Sequence, residues 1–111
     1  MMKGVTATEK LIKRYIPMSE TMFYILSSLT GQRHGYGVML HVRDLTGGRI
    51  ILGAGTVYQT LSKLERDGLI VSTNEIDRKK NYIITELGRA VLTREAARIC
   101  ELSSIAKEFL S

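Results

Sequence analysis

Between Gly53 and Lys80 the hydrophobic period changes from helical to β-like across one glycine, and the rest of the chain is organised around that stretch. Val57, Leu61 and Leu64 recur at helical spacing, which turns them to one side of a helix over about Ala54 to Arg66. Gln59, Ser62, Lys63 and Arg66 then lie on the opposite side, with Thr56 and Tyr58 on the flanks. Gly68 suits the turn that ends the helix. Leu69 to Glu75 and Asn81 to Ile84 are β-prone, and the charged residues between them read as a hairpin tip. A lone hairpin is marginal in water. The short apolar run Arg49–Leu52 is therefore expected as a third strand.

The flanking sequence completes the order. Residues 1–18 form an arm, with a short helix over about Thr8 to Tyr15 that Pro17 ends. An arm packing on a partner subunit and a frayed terminus are equal readings. Ser19 caps a helix of about Glu20 to Thr30, whose apolar stripe is Met22, Ile25, Leu26 and Leu29, and Gly31 stops it. A loop through Arg33 and His34 leads to a second helix, about Tyr36 to Leu45, before Gly47-Gly48. Thr85 caps a final helix from Glu86 to about Leu110.

That last helix carries two overlapping stripes. Leu92, Glu95, Ile99, Leu102, Ala106 and Phe109 follow one, while Leu87, Val91, Leu102 and Ile105 form the other. One face should meet the domain and the other a second copy of the chain, through Leu92, Ile99, Leu102, Ala106 and Phe109; a purely intradomain helix is the competing reading. The expected fold class is α+β, a winged helix-turn-helix with a small two- to three-stranded antiparallel wing and a long C-terminal helix. Residues 1–18 are the arm, 19–84 the DNA-binding domain and 85–111 the dimerisation helix.

Composition narrows the function classes. A chain of 111 residues makes one domain, and its net charge of +5 favours a polyanionic partner without proving one. Charge balances on the final helix, so the excess sits upstream on the arm and hairpin. Cys100 is the only cysteine, which excludes an internal disulfide and fits a reducing cytoplasm. It falls inside the helical apolar face and is expected to be buried. No apolar run approaches the roughly 18 residues that a membrane span needs. Enzyme signatures are missing: Tyr58 stands where a dinucleotide fingerprint needs its third glycine, and His34, His41 and Cys100 lack metal-ligand spacing. Neither cofactor nor metal is expected.

Double-stranded DNA is the partner this pattern suits. A helix of this size fits the major groove, where Gln59 suits adenine, Lys63 guanine or a phosphate, and Thr56 either. Tyr58 can aim its hydroxyl at a phosphate while its ring packs. Arg78, Lys79 and Lys80 suit phosphates or the minor groove, with a solvated turn as the bland alternative. His34 stands before the second helix, where it serves a phosphate or caps a hydrogen bond. Asn81 and Tyr82 belong to the sheet, with Tyr82 in the core.

Four segments carry a family resemblance: TMFYILSSL at Thr21–Leu29, RHGYG at Arg33–Gly37, GAGTVYQTLSKLERDGLI at Gly53–Ile70 and YIITELGRAVL at Tyr82–Leu92. Together they resemble the PadR-like transcriptional regulators. The resemblance implies a homodimeric DNA-binding repressor that reads an inverted repeat and responds to a small lipophilic or phenolic compound or to cell stress. Its recognition helix would match Ala54–Arg66 and its wing Glu75–Tyr82. The single final helix places the chain with the small subclass. It has no tryptophan, so a pocket walled by paired tryptophans does not carry over. Tyr15, Met18 and Met22, with Tyr24 and Phe109, are the substitutes for lining an effector cavity, against a plain core role. The alternative function is a winged-helix protein–protein module without DNA binding.

Overall fold

Four of the five α-helices begin at a side chain that accepts a hydrogen bond from their first turn. In the computed structural model, which describes residues 6–110, these caps are Thr6, Ser19, His34 and Thr85. Met1 to Val5 of the expected arm, and Ser111, lie outside the described residues. A Ser or Thr cap contributes about 1 kcal/mol, enough to set where a helix starts but not to hold the domain. The elements run α1 (Ala7–Tyr15), α2 (Glu20–Ser28), β1 (Arg33–His34), α3 (Gly35–Leu45), α4 (Ala54–Arg66), β2 (Ile70–Ile76), β3 (Lys79–Ile84) and α5 (Glu86–Ala106), closed by a 3-10 turn at Lys107–Phe109. This is the expected α+β winged helix-turn-helix.

The third strand is not where the sequence suggested. The sheet order is β1-β3-β2, all antiparallel, with Arg33 opposite Tyr82 and His34 opposite Asn81. Arg49–Leu52 forms no strand. Thr46 Oγ1 accepts the Ile50 N–H at 3.1 Å, and Leu52 tucks into the core, so the apolar character of this run reflects anchoring rather than pairing. The residues just before α3 take the free edge of β3 instead.

Val57, Leu61 and Leu64 of α4 are fully buried, as their spacing required, and share one core with Ile25 and Leu26 of α2, its C-cap Leu29, and Val38 and Val42 of α3. Each such side chain stabilises the fold by roughly 1.5–3 kcal/mol, so packing outweighs capping. Tyr82 joins this core, and Ile12 and Tyr15 close it from α1. The start of α5 is locked onto the α4–β2 turn. Thr85 Oγ1 donates to the Gly68 carbonyl at 2.7 Å, and a Cβ on Gly88 would stand 2.1 Å from the Leu69 carbonyl oxygen.

Farther along, α5 leaves the domain. Glu95 is fully buried, whereas Leu102 and Ile105 are more than half exposed and Phe109 and Leu110 almost wholly so. Cys100 is exposed, not buried as its place in the stripe implied. It lies off the inward line of Val91 and Glu95, on a stretch where the domain no longer covers the helix.

Candidate nucleic-acid interface

Because Val57, Leu61 and Leu64 point into the core, helical geometry turns Gly55, Gln59, Ser62 and Arg66 outward on α4, and all four are exposed. Thr56 and Tyr58 are exposed on the two flanks. The Tyr58 ring lies across Gly35, where a Cβ would come within 2.5 Å of it, so ring and glycine seat α4 on the start of α3. Gly53 caps α4 without a side chain, which leaves the first amides of the helix free to receive an anion.

Lys63 turns aside from that outer face. Its ammonium sits 5.1 Å above the ring centroid of Tyr15, a cation–π contact, and the residue is partly buried. The Tyr15 hydroxyl donates to Asp67 Oδ2 at 2.7 Å, and Arg14 donates to Oδ1 at 3.2 Å. The Tyr15 hydrogen bond, with Arg14 and Lys63 nearby, holds the Asp67 carboxyl below its ordinary range, while burial and the same bond push the Tyr15 phenol up. Ser62 and Arg66, absent from the expected contact set, face outward more squarely than Lys63. Their spacing from Gln59 was the signal that could have found them.

The wing is a hairpin with a two-residue turn at Asp77-Arg78, both at positive φ (53° and 64°), which matches the mirror-image turn that suits twisted strands. Its register slips between Ser72 and Glu75, where Thr73 and Asn74 oppose Asn81 alone. The buried Asn81 amide donates to the carbonyls of Asn74 and Lys79, filling the gap that this bulge opens. Arg78 and Lys79 are exposed. The Lys80 ammonium lies over the Tyr82 ring at 5.6 Å and 3.4 Å from Glu65 Oε1, so it bridges the wing to α4.

His34 caps α3: its Nδ1 accepts the Gly37 N–H at 3.0 Å, and its ring stacks on Tyr36. That bond assigns the neutral proton to Nε2, which is then a donor. On α3, His41 contacts Ser28 Oγ at 2.9 Å, and burial together with the Arg33 charge pushes its pKa down.

Of the residues expected to line an effector cavity, Met18 and Tyr24 come together in one. A cavity of about 300 Å³ opens between the start of α2 and α5, lined by Met18, Phe23, Tyr24, Glu95, Arg98 and Ile99 among others. Tyr15 lies elsewhere, at Asp67, and Met22 packs against the core. Among the described residues no group of three or more His, Cys, Asp or Glu could hold a metal ion, and no helix is long and apolar enough to cross a membrane.

Known proteins place this geometry. Residues 23–94 match the model of the transcriptional regulator PadR-like family. An uncharacterized 37.1 kDa protein in a transposon of Streptomyces fradiae is 32% identical over 82 residues, covering 74% of this chain. The chain spans about a quarter, 23%, of that relative's length. A transcriptional regulator from Clostridium thermocellum superposes with a TM-score of 0.71 at 21% identity, covering 97% of this chain and 100% of that one. Bacillus subtilis PadR, solved in complex with operator DNA, gives 0.61 at 25% identity over 68% of this chain and 46% of that one. The family model spans all of α3, α4 and the wing, and the chain belongs to the PadR-like family of transcriptional regulators.

Proposed function

We propose that this chain is a homodimeric, sequence-specific binder of double-stranded DNA that represses transcription until a small-molecule or stress signal releases it. The observation that carries the reading is the pairing of an outward polar face on α4 (Gln59, Ser62 and Arg66) with a wing whose tip presents Arg78 and Lys79. Side chains on that face suit base edges, and cations on the wing suit phosphates. Thr56, Tyr58 and the Nε2 donor of His34 extend the same contact set; Lys63 and Lys80 adjoin it with their ammonium groups already engaged on aromatic rings. The DNA-bound B. subtilis relative supports this assignment. A DNA partner supports a cytoplasmic location.

Dimerisation falls to α5 in this reading. Leu102, Ile105 and Phe109 form an apolar surface that the described residues leave uncovered, and Leu92, Ile99 and Ala106 adjoin it. Two copies joined there would present two α4 helices to an inverted repeat with half-sites about one helical turn apart. The cavity beside Met18, Tyr24 and Ile99 is the place for a small apolar or aromatic effector, because a ligand there sits between the domain and α5.

Fluorescence titration of duplex DNA at several salt concentrations tests the core of this reading. Affinity should fall steeply with salt, and R78A/K79A should lower the slope by roughly 0.9 for each phosphate the wing no longer neutralises. Binding that neither salt nor this pair of substitutions alters would refute it.

A further inference from the structure

The last turn of α1 grips the end of α4 in a way that packing alone does not require. Tyr15 is buried, and a phenylalanine would fill the same space; only its hydroxyl, at 2.7 Å, reaches Asp67. Asp67 is the C-cap of α4, at the negative end of the helix dipole, where a carboxylate is disfavoured. Arg14 and Tyr15 both donate to it, and Lys63 covers the Tyr15 ring. The four side chains make a clasp between α1 and α4.

At the same time α1 is fastened to α5. It packs along that helix, Glu9 stands 3.8 Å from Arg94, and the Met18 N–H, three residues beyond α1, donates to Glu95 at 2.8 Å. The main packing of α4 is instead with α3, β2 and α2. With the start of α5 fixed on the α4–β2 turn, a shift of its middle, at Arg94 and Glu95, would carry α1 with it and pull on the C-terminal end of α4.

We propose that α1 is a positioning element for the reading helix, with Tyr15 acting through Asp67 to set the seat of α4 relative to α5, and so the separation of the two reading helices in a dimer. The proposal rests on the DNA-binding reading. Lys63 in this arrangement is a clasp member rather than a phosphate contact, and Tyr15 touches no DNA.

The test uses duplexes selected from random DNA by the wild-type chain, together with versions whose half-sites are moved one base pair closer or farther apart. Y15F should raise the Kd for the selected duplex about fivefold or more. It should also narrow the difference between correct and altered spacings, with the sedimentation of the dimer unchanged. D67N keeps an acceptor oxygen for the hydroxyl and should restore most of the spacing preference that D67A loses. K63A should leave the salt slope as it is in the wild type. A uniform loss across all spacings in Y15F, or no loss at all, would overturn the proposal while leaving DNA binding intact. Failure of the wild-type chain to select any duplex would overturn the DNA reading and this proposal together.

Discussion

Replacing Arg98 by methionine should destabilise the protein by about 3 kcal/mol, because it strands a charge that the fold has taken wholly out of water. Glu95 is fully buried in α5, and its carboxylate accepts three hydrogen bonds: from Arg98 Nε at 2.7 Å, Arg98 Nη2 at 2.9 Å and the Met18 N–H at 2.8 Å. Breaking a buried ion pair by removing one partner costs about 3–5 kcal/mol. The Arg98 side chain is 34% exposed, so water can partly replace it, and the lower end of that range applies. Methionine keeps most of the apolar stem, which limits the packing loss. Urea unfolding at fixed protomer concentration measures the difference.

The pH dependence separates this account from a packing defect. The Arg98 hydrogen bonds, helped by the Met18 N–H, hold the Glu95 carboxyl below its ordinary value of 4.5. A carboxylate depressed in this way stabilises the fold above its unfolded pKa, and that contribution is lost as pH falls through the lower folded value. Without Arg98, burial pushes the carboxyl up, so the folded variant gains protons on acidification. The deficit of R98M should therefore be largest near neutrality, begin to shrink above pH 4.5 as the variant's raised carboxyl takes up its proton, and go on shrinking below it. E95Q/R98M removes the stranded charge while leaving a carbonyl for Met18, and should recover most of the loss. A deficit under about 1 kcal/mol, or one that does not change with pH, would refute the reasoning.

Three further outcomes follow from the geometry. G88A sets a methyl group against the Leu69 carbonyl oxygen and the Ile84 side chain, so the α5 start must shift; denaturant unfolding should show a loss of about 3 kcal/mol or more. R78G relieves a non-glycine residue at positive φ and should stabilise the hairpin by up to about 1 kcal/mol, yet weaken DNA binding and flatten its salt dependence. L102E places a charge on the exposed face of α5, and sedimentation should report a single 12.4 kDa chain for the variant and twice that mass for the wild type.

Periodicity alone carried most of the fold. The spacing of Val57, Leu61 and Leu64 located α4 to the residue, and Ser19 and Thr85 marked two helix starts, because capping and amphipathic burial are local effects that neighbours in sequence dictate. The third strand was not legible. Arg33 and His34 look like a loop until Asn81 and Tyr82 lie beside them, and a two-residue strand has no period of its own. Cys100 shows the opposite error, since a stripe tells which way a side chain points but not where the domain stops covering it.

The reading stretch shows the same division. From sequence, Gln59, Ser62, Lys63 and Arg66 are equally polar members of one outer face, and the wing is simply a run of Arg78, Lys79 and Lys80. Tertiary structure ranks them, because Lys63 meets Tyr15 and the exposed Lys80 meets Tyr82 and Glu65, while Arg66, Arg78 and Lys79 are exposed and make no such contact among the described residues. The sequence by itself determined the order of the helices and the hairpin, the inward face of α4 and the basic hairpin tip. Only the folded chain decided which cations are engaged, because long side chains choose partners brought together from far apart: Tyr15 with Asp67, and Met18 with Glu95 and, through it, Arg98.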